Sequence, residues 1–193
     1  MTVCLRRVSN LPNGFDILRA DAEADGHRQM TRLASELALT PQLFHTVLAA
    51  YIDNSLAGIG AITDEPQPMS EPAWRMRRLY VHRQFRRRGV GRAIASELLK
   101  EAASKVRIVT VHAGTANAAS FWEALGFRQA ACKAWSHETI ISPALTANWQ
   151  ERHPEGLPCS MGGASSQQAA RFDDAAILSA AKSSAARVGA DGA

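Results

Sequence analysis

The chain has 193 residues, 46% of them apolar and 21% charged, with 22 Lys and Arg against 18 Asp and Glu. That length supports one domain with a substantial core and falls short of two ordinary ones, and the composition excludes a collagen-like chain or one disordered throughout. No apolar run approaches the roughly 18 residues of a membrane span, the opening MTVCLRRVSNLP lacks the apolar stretch of a secretory signal, and Cys4, Cys132 and Cys159 stand too far apart for a disulfide framework or a zinc site. A cytoplasmic protein with reduced thiols and no bound metal is expected.

In chain order, Phe15–Arg19 reads as a short strand. Residues 25–39 read as a helix, because Met30, Leu33, Ala34 and Leu37 recur at helical spacing, and Pro41 ends it. Phe44–Ile52 and Leu56–Thr63 are apolar, β-branched segments about the turn-forming pair Asp53-Asn54, which predicts a hairpin. Trp74–His82 extends as a strand. Gly89–Ala103 reads as a helix with Val90, Ile94, Leu98 and Ala102 on one face. Arg107–His112 is a further strand, Ala116–Leu125 a helix closed by Gly126, and His137–Ile141 a last strand. The order β, α, three strands, α, β, α, β argues for an α/β (α+β) fold in which helices pack on a mixed sheet.

From Pro143 onward 27 of the 51 residues are Ala, Ser, Gly or Pro, so residues 1–142 are expected to form the domain and residues 143–193 a tail. Within the tail, Asp173–Val188 reads as a marginal helix with only Ile177, Leu178 and Val188 to bury.

Charge is unevenly distributed. Residues 75–92 hold eight arginines and no acid, whereas residues 41–74 hold Asp53, Asp64, Glu65 and Glu71 and neither Lys nor Arg. A local basic patch suits the phosphates of a small cofactor or a nucleic acid, and a solvated strand-loop surface would explain it as well. The stretch LYVHRQFRRRGVGRAIASELL narrows this choice. A strand runs into Arg86, Arg87 and Arg88, then Gly89, Val90 and Gly91, then Arg92 and an amphipathic helix. Those are the parts of a pyrophosphate site: glycines admit an anion to the backbone, and a helix N-terminus adds partial positive charge. The residues required of a P-loop or a dinucleotide fingerprint are missing.

The run Arg86-Arg87-Arg88-Gly89-Val90-Gly91 resembles the acyl-CoA motif [RQ]-x-x-G-x-[GA] of the GNAT superfamily of N-acyltransferases, and AASFWEALGF farther on resembles that family's second motif, a helix ending in Gly-Phe. The resemblance covers roughly residues 14–142. It implies a mostly antiparallel mixed sheet with splayed central strands, here Trp74–His82 and Arg107–His112, and flanking helices. The pantetheine arm of acetyl-CoA would lie between those strands against backbone groups of Leu79, Tyr80 and Val81. The amides of residues 87–92 would take the pyrophosphate, with Arg86, Arg87, Arg88 and Arg92 adding charge. Asn117 and Trp122, from the second motif, complete the implied cofactor set.

The family's acid–base groups are replaced here. Trp122 stands where many relatives carry a thiolate-protonating Tyr, Arg75 near where they often carry a basic Glu, and Thr115 where Asn often opens the second motif. His112, at the end of the proposed fifth strand, is then the candidate base, with Tyr80 and His82 as supporting residues. His27, His45, His137 and His153 read as ordinary surface or hydrogen-bonded histidines. The expected function is acetyl-CoA-dependent acetyl transfer to a primary amine of a small molecule or protein by direct attack, the cysteines offering no nucleophile context. The acid-rich segment 41–74 favours a cationic acceptor. A second copy of the chain is a candidate partner and a membrane is not. The alternative is a GNAT-like module that binds CoA without turnover or binds nucleic acid, though it lacks interleaved aromatics for stacking bases.

Overall fold

The computed structural model describes residues 2–141; the expected tail and its Asp173–Val188 helix lie outside the described residues. The strands are β1 (Cys4–Arg7), β2 (Phe44–Ile52), β3 (Ser55–Asp64), β4 (Ala73–Val81), β5 (Ile108–Val111), β6 (Arg128–Gln129) and β7 (His137–Ile140). They form one sheet in the order β1-β2-β3-β4-β5-β7-β6, in which only β4 and β5 run parallel. The helices are α1 (Phe15–Ala24), α2 (Gln29–Leu39), α3 (Val90–Ala103) and α4 (Ala116–Glu123).

The sheet is covered on both faces, by two separate apolar clusters. On one, α1 and α2 bury Phe15, Leu18, Met30 and Leu33 against Val47, Ala49, Ile59 and Ala61. On the other, α3 and α4 bury Ile94, Leu98, Leu99 and Trp122 against Leu48, Ile62, Met76 and Val109. Alternation along β2 and β3 sends successive residues to opposite clusters, which is why these strands read as nearly continuous apolar runs. The hairpin turns at Asp53 and Asn54, both left-handed (φ 48° and 62°), the geometry that a two-residue turn between twisted strands requires.

The first expected strand is wrong: Phe15 opens a helix. Gly14, at φ 84°, starts α1, and Phe15, Leu18 and Ala22 fall on one helical face and are buried. That spacing exceeds the window Phe15–Arg19, within which a short apolar run is ambiguous between strand and helix. The true first strand is β1, a half-exposed edge paired with β2, and β6 is a two-residue edge; neither has an apolar alternation long enough to register.

Two β3 glycines let α3 approach the sheet. A Cβ at Gly60 would stand 2.7 Å from Ile94 Cγ2 and 3.0 Å from Leu79 Cδ1. Gly60→Val should therefore destabilise the fold by about 1–3 kcal/mol through overpacking, read as a lowered midpoint in a urea melt; an unchanged midpoint would mean that α3 can move away without cost.

Candidate active site

β4 and β5 are paired from Ala73–Ile108 to Met76–Val111, and there the pairing stops. β4 continues to Val81, so residues 77–81 border an opening on the β5 side while still paired with β3. At the start of the opening β4 bulges: Ile59 faces Tyr80 and Ala61 faces Arg77, so Arg78 and Leu79 together oppose Gly60, with Arg78 at φ 56°. Leu79, Tyr80 and Val81 thus lie along the opening. The Val81 carbonyl accepts a hydrogen bond from Arg86 Nε at 3.0 Å, and the Tyr80 side chain is buried on the α1 side.

Beyond β4 a short 3₁₀ turn, Arg83–Phe85, leads into the arginine run and α3. Gly89, left-handed at φ 80°, caps the helix, and the N–H groups of Val90, Gly91 and Arg92 have no helical acceptor before them. A Cβ at Gly89 would meet nothing within 4 Å, and one at Gly91 would touch Phe121 and Val81 at 3.5 Å. Arg87 (φ 63°) and Arg88 are exposed, Arg88 lying over the Phe85 ring, and Arg92 is half-buried.

Arg86 departs from its expected role as a phosphate-directed charge. Its guanidinium pairs with Asp25, donates to the Tyr80 hydroxyl at 2.9 Å and covers the Tyr80 ring. Asp21 joins the same cluster, accepting from the Arg83 amide at 2.9 Å and pairing with its guanidinium. The Tyr80 hydroxyl stands 2.9 Å from Asp21 Oδ2 and 3.0 Å from Asp25 Oδ2. Burial, with these two carboxylates, pushes the Tyr80 phenol far above its usual range, so it stays protonated and supports the loop. His82 Nδ1 accepts from the Gln84 amide at 3.2 Å, a turn-capping role. None of Asp21, Asp25 or Arg83 was singled out from sequence, because their pairing joins α1 to the loop after β4.

On the same face Glu36 of α2 takes Arg78 in two hydrogen bonds and Arg77 Nη2 at 3.0 Å. Burial pushes the Glu36 carboxyl up, but the Arg78 hydrogen bond and the charges of Arg78, Arg77 and Arg32 outweigh it, so the carboxyl is held below its ordinary 4.5. A depressed folded-state pKa stabilises above the unfolded value and is lost as pH falls through the folded one. Glu36→Gln should accordingly cost stability at neutral pH, and its difference from wild type in urea melts should shrink below about pH 4.5; a pH-independent difference would remove this linkage.

A second ion pair lies deeper. Glu65, with its side chain 1% exposed, receives Arg75 Nε at 2.9 Å and Arg75 Nη2, and the Thr110 hydroxyl donates to it. Arg75 is therefore a partner of Glu65. Asp64 is paired with His45 and Glu71 with Arg107, so three acids of segment 41–74 serve internal pairs.

At the end of β5, the Ser136 hydroxyl donates to Val111 O at 3.1 Å and accepts from Ala113 N at 2.7 Å. This clamp brackets His112, which is exposed. Thr115 caps α4, its hydroxyl accepting from the Ala118 amide at 3.2 Å, and Asn117 is exposed on the first turn. Trp122 is 4% exposed, packed between Phe121 and Phe127, which makes it a core residue of α4 rather than a side chain lining the opening. His137 is also buried: Nδ1 meets Ser136 Oγ at 2.9 Å, while Nε2 has no hydrogen-bond partner and Glu123 stands 3.6 Å away. The reading of His137 as a surface or fully hydrogen-bonded histidine is thus corrected, whereas His27 lines a cavity of about 620 Å³ with Glu23, Gly26, Arg28 and Thr31 at the α1–α2 connection.

Among the described residues no group of three or more His, Cys, Asp or Glu is placed to hold a metal ion, and no helix is long and apolar enough to cross a membrane. A sheet opened between two parallel strands, beside a glycine-capped helix terminus and exposed arginines, defines a domain that can bind an extended phosphorylated ligand across a split sheet. Comparison with known proteins gives the family. The acetyltransferase (GNAT) family model matches residues 11–127, and the chain belongs to that family. Among solved structures it is similar to an acetyltransferase described from Exiguobacterium sp. 255-15 (19% identity, 77% of this chain and 98% of that one, TM-score 0.65). It is also similar to a Brucella melitensis GNAT acetyltransferase in complex with acetyl-CoA (13%, 73% and 89%, 0.55) and an Escherichia coli GNAT N-acetyltransferase in complex with CoA (12%, 76% and 85%, 0.56). No match is found among curated proteins.

Proposed function

We propose that this protein is an acetyl-CoA-dependent N-acetyltransferase acting by direct attack of a primary amine on the thioester. The observation that carries this reading is the parting of β4 and β5 after Met76 and Val111, next to the N-terminus of α3. The residues present fit the cosubstrate. Backbone along 77–81 has no strand partner on the β5 side, Gly89 opens the approach to the helix amides, and Arg87 and Arg88 add positive charge beside them. Acetyl-CoA supplies the activated acetyl group. The chain's own part is to align the thioester along β4 and to take a proton from the amine.

That proton matters, since an alkylamine of pKa about 10.4 is less than roughly 0.1% neutral at pH 7. We assign its removal to His112, directly or through water, because imidazole is the side chain suited to accept a proton near neutrality and His112 lies just past the point where the strands separate. The departing thiol needs no strong acid, its ordinary pKa being about 8.5. Buried Trp122 therefore leaves no essential step unserved.

A thiol-release assay with acetyl-CoA across a panel of amines, with mass spectrometry of the product, tests the reading. Amine-dependent thiol release with a mass gain of one acetyl group is expected; CoA binding without transfer to any amine would favour a binding module.

A further inference from the structure

The segment between β6 and β7 holds a site that neither the fold nor the proposed chemistry requires. Lys133 Nζ lies 2.8 Å from both carboxylate oxygens of Glu138. Trp135 Nε1 donates to Glu138 Oε2 at 2.8 Å, and the Trp135 ring centroid is 5.2 Å from the same ammonium. Trp135 is buried at 7% exposure, so the indole and the carboxylate it orients are fixed, whereas the Lys133 side chain is 41% exposed. A carboxylate with an aromatic face beside it is a receptor for an alkylammonium. Here the chain's own lysine occupies it, folded back through a bend in which Cys132 is left-handed at φ 58°.

The place of this receptor gives it meaning. Glu138 is directly opposite Arg128 on one side and Thr110 on the other, and Thr110 is opposite Arg75; Glu138, Thr110 and Arg75 thus form a row across β7, β5 and β4, one residue short of the opening, with Arg128 beyond Glu138 on β6. Two strand spacings make that row about 10 Å wide, a span that a linear amine of several methylenes can cross. Within the row Arg75 is matched by Glu65, and Arg128 stands at the outer end, on the far side of Glu138 from the opening. Glu138 lies one residue short of the opening, and a carboxylate held by Trp135 favours the charged amine, so the ammonium placed here is a second, non-reacting one. A second cation on the same acceptor suffers no such penalty.

We propose that Glu138 and Trp135 form a subsite for a second, non-reacting ammonium of the acceptor, filled by Lys133 in the free chain, and that the acceptor class is a linear di- or polyamine. This rests on the N-acetyltransferase reading for its acceptor, but its test is a binding measurement. Spermidine is titrated by calorimetry, at saturating CoA, into wild type, Lys133→Ala, Lys133→Ala/Glu138→Gln, and Lys100→Ala, which removes an exposed Lys–Glu pair elsewhere. Lys133→Ala should bind spermidine about tenfold more tightly than wild type. Glu138→Gln should abolish that gain, and Lys100→Ala should show none. No gain in Lys133→Ala, a gain that survives Glu138→Gln, or an equal gain in Lys100→Ala would each overturn the subsite. Glu138→Gln keeps an acceptor for Trp135, and a thermal melt confirms that each variant is folded. If the binding pattern holds while no amine releases thiol from acetyl-CoA, the enzyme reading fails and the subsite stands; if amines are acetylated without the pattern, the subsite alone fails.

Discussion

His112→Ala is expected to lower kcat/KM by about 10²-fold or more while acetyl-CoA affinity stays within about twofold of wild type. The two quantities separate because the groups proposed to bind the cosubstrate lie on β4 and the α3 terminus, whereas His112 follows β5. Trp122→Phe should cost activity far less, since the indole packs between Phe121 and Phe127 and cannot supply a proton. The measurement requires a good acceptor, so that the transfer step is what limits the rate. A His112→Ala enzyme with undiminished kcat/KM would transfer proton removal to solvent or another group.

Gly89→Val and Gly91→Leu should each weaken acetyl-CoA binding by about 100-fold or more by calorimetry, for different reasons. At Gly89 the new side chain projects into open space beside the α3 amides, where an anion must approach, and a β-branched residue there also strains a backbone at φ 80° by about 1–2 kcal/mol. At Gly91 the first carbon makes ordinary contact with Phe121 and Val81, so the remaining carbons must enter the ligand's side or displace Phe121. Gly91→Ala is the control: it should fold as wild type and lose less affinity. Undiminished binding in both large variants would remove the α3 terminus as the pyrophosphate site.

The arginine run shows where local pattern and tertiary context part. Eight arginines in residues 75–92 look equivalent in sequence, yet four of them, Arg75, Arg77, Arg78 and Arg83, are held by Glu65, Glu36 and Asp21. Arg86 is held by Asp25, and Arg87, Arg88 and Arg92 flank the N-terminus of α3. Asp21 and the Arg83 amide are 62 residues apart, and nothing at that separation announces a contact. The carboxylates lie on α1 and α2, just past the end of α1 and just past the end of β3, so the partners meet only after those elements close on β4. The receptor at Glu138 was invisible for a related reason: its acid, indole and ammonium are close in sequence, but their relation to β4 exists only through the pairing of β7 with β5.

What the sequence determined by itself is what short-range chemistry decides. The α2 and α3 periodicities, the Asp53-Asn54 turn, and glycines at a strand-to-helix junction each follow from the conformations those residues allow within a few positions. The tertiary structure decided the rest: that β4 and β5 part after Met76 and Val111, that Arg78 bulges opposite Gly60, that Trp122 is buried, and that Ser136 clamps the backbone on either side of His112. These depend on register and on which surfaces close upon one another. A strand residue carries its preference for extended backbone locally, but the identity of its neighbour is set by the whole sheet.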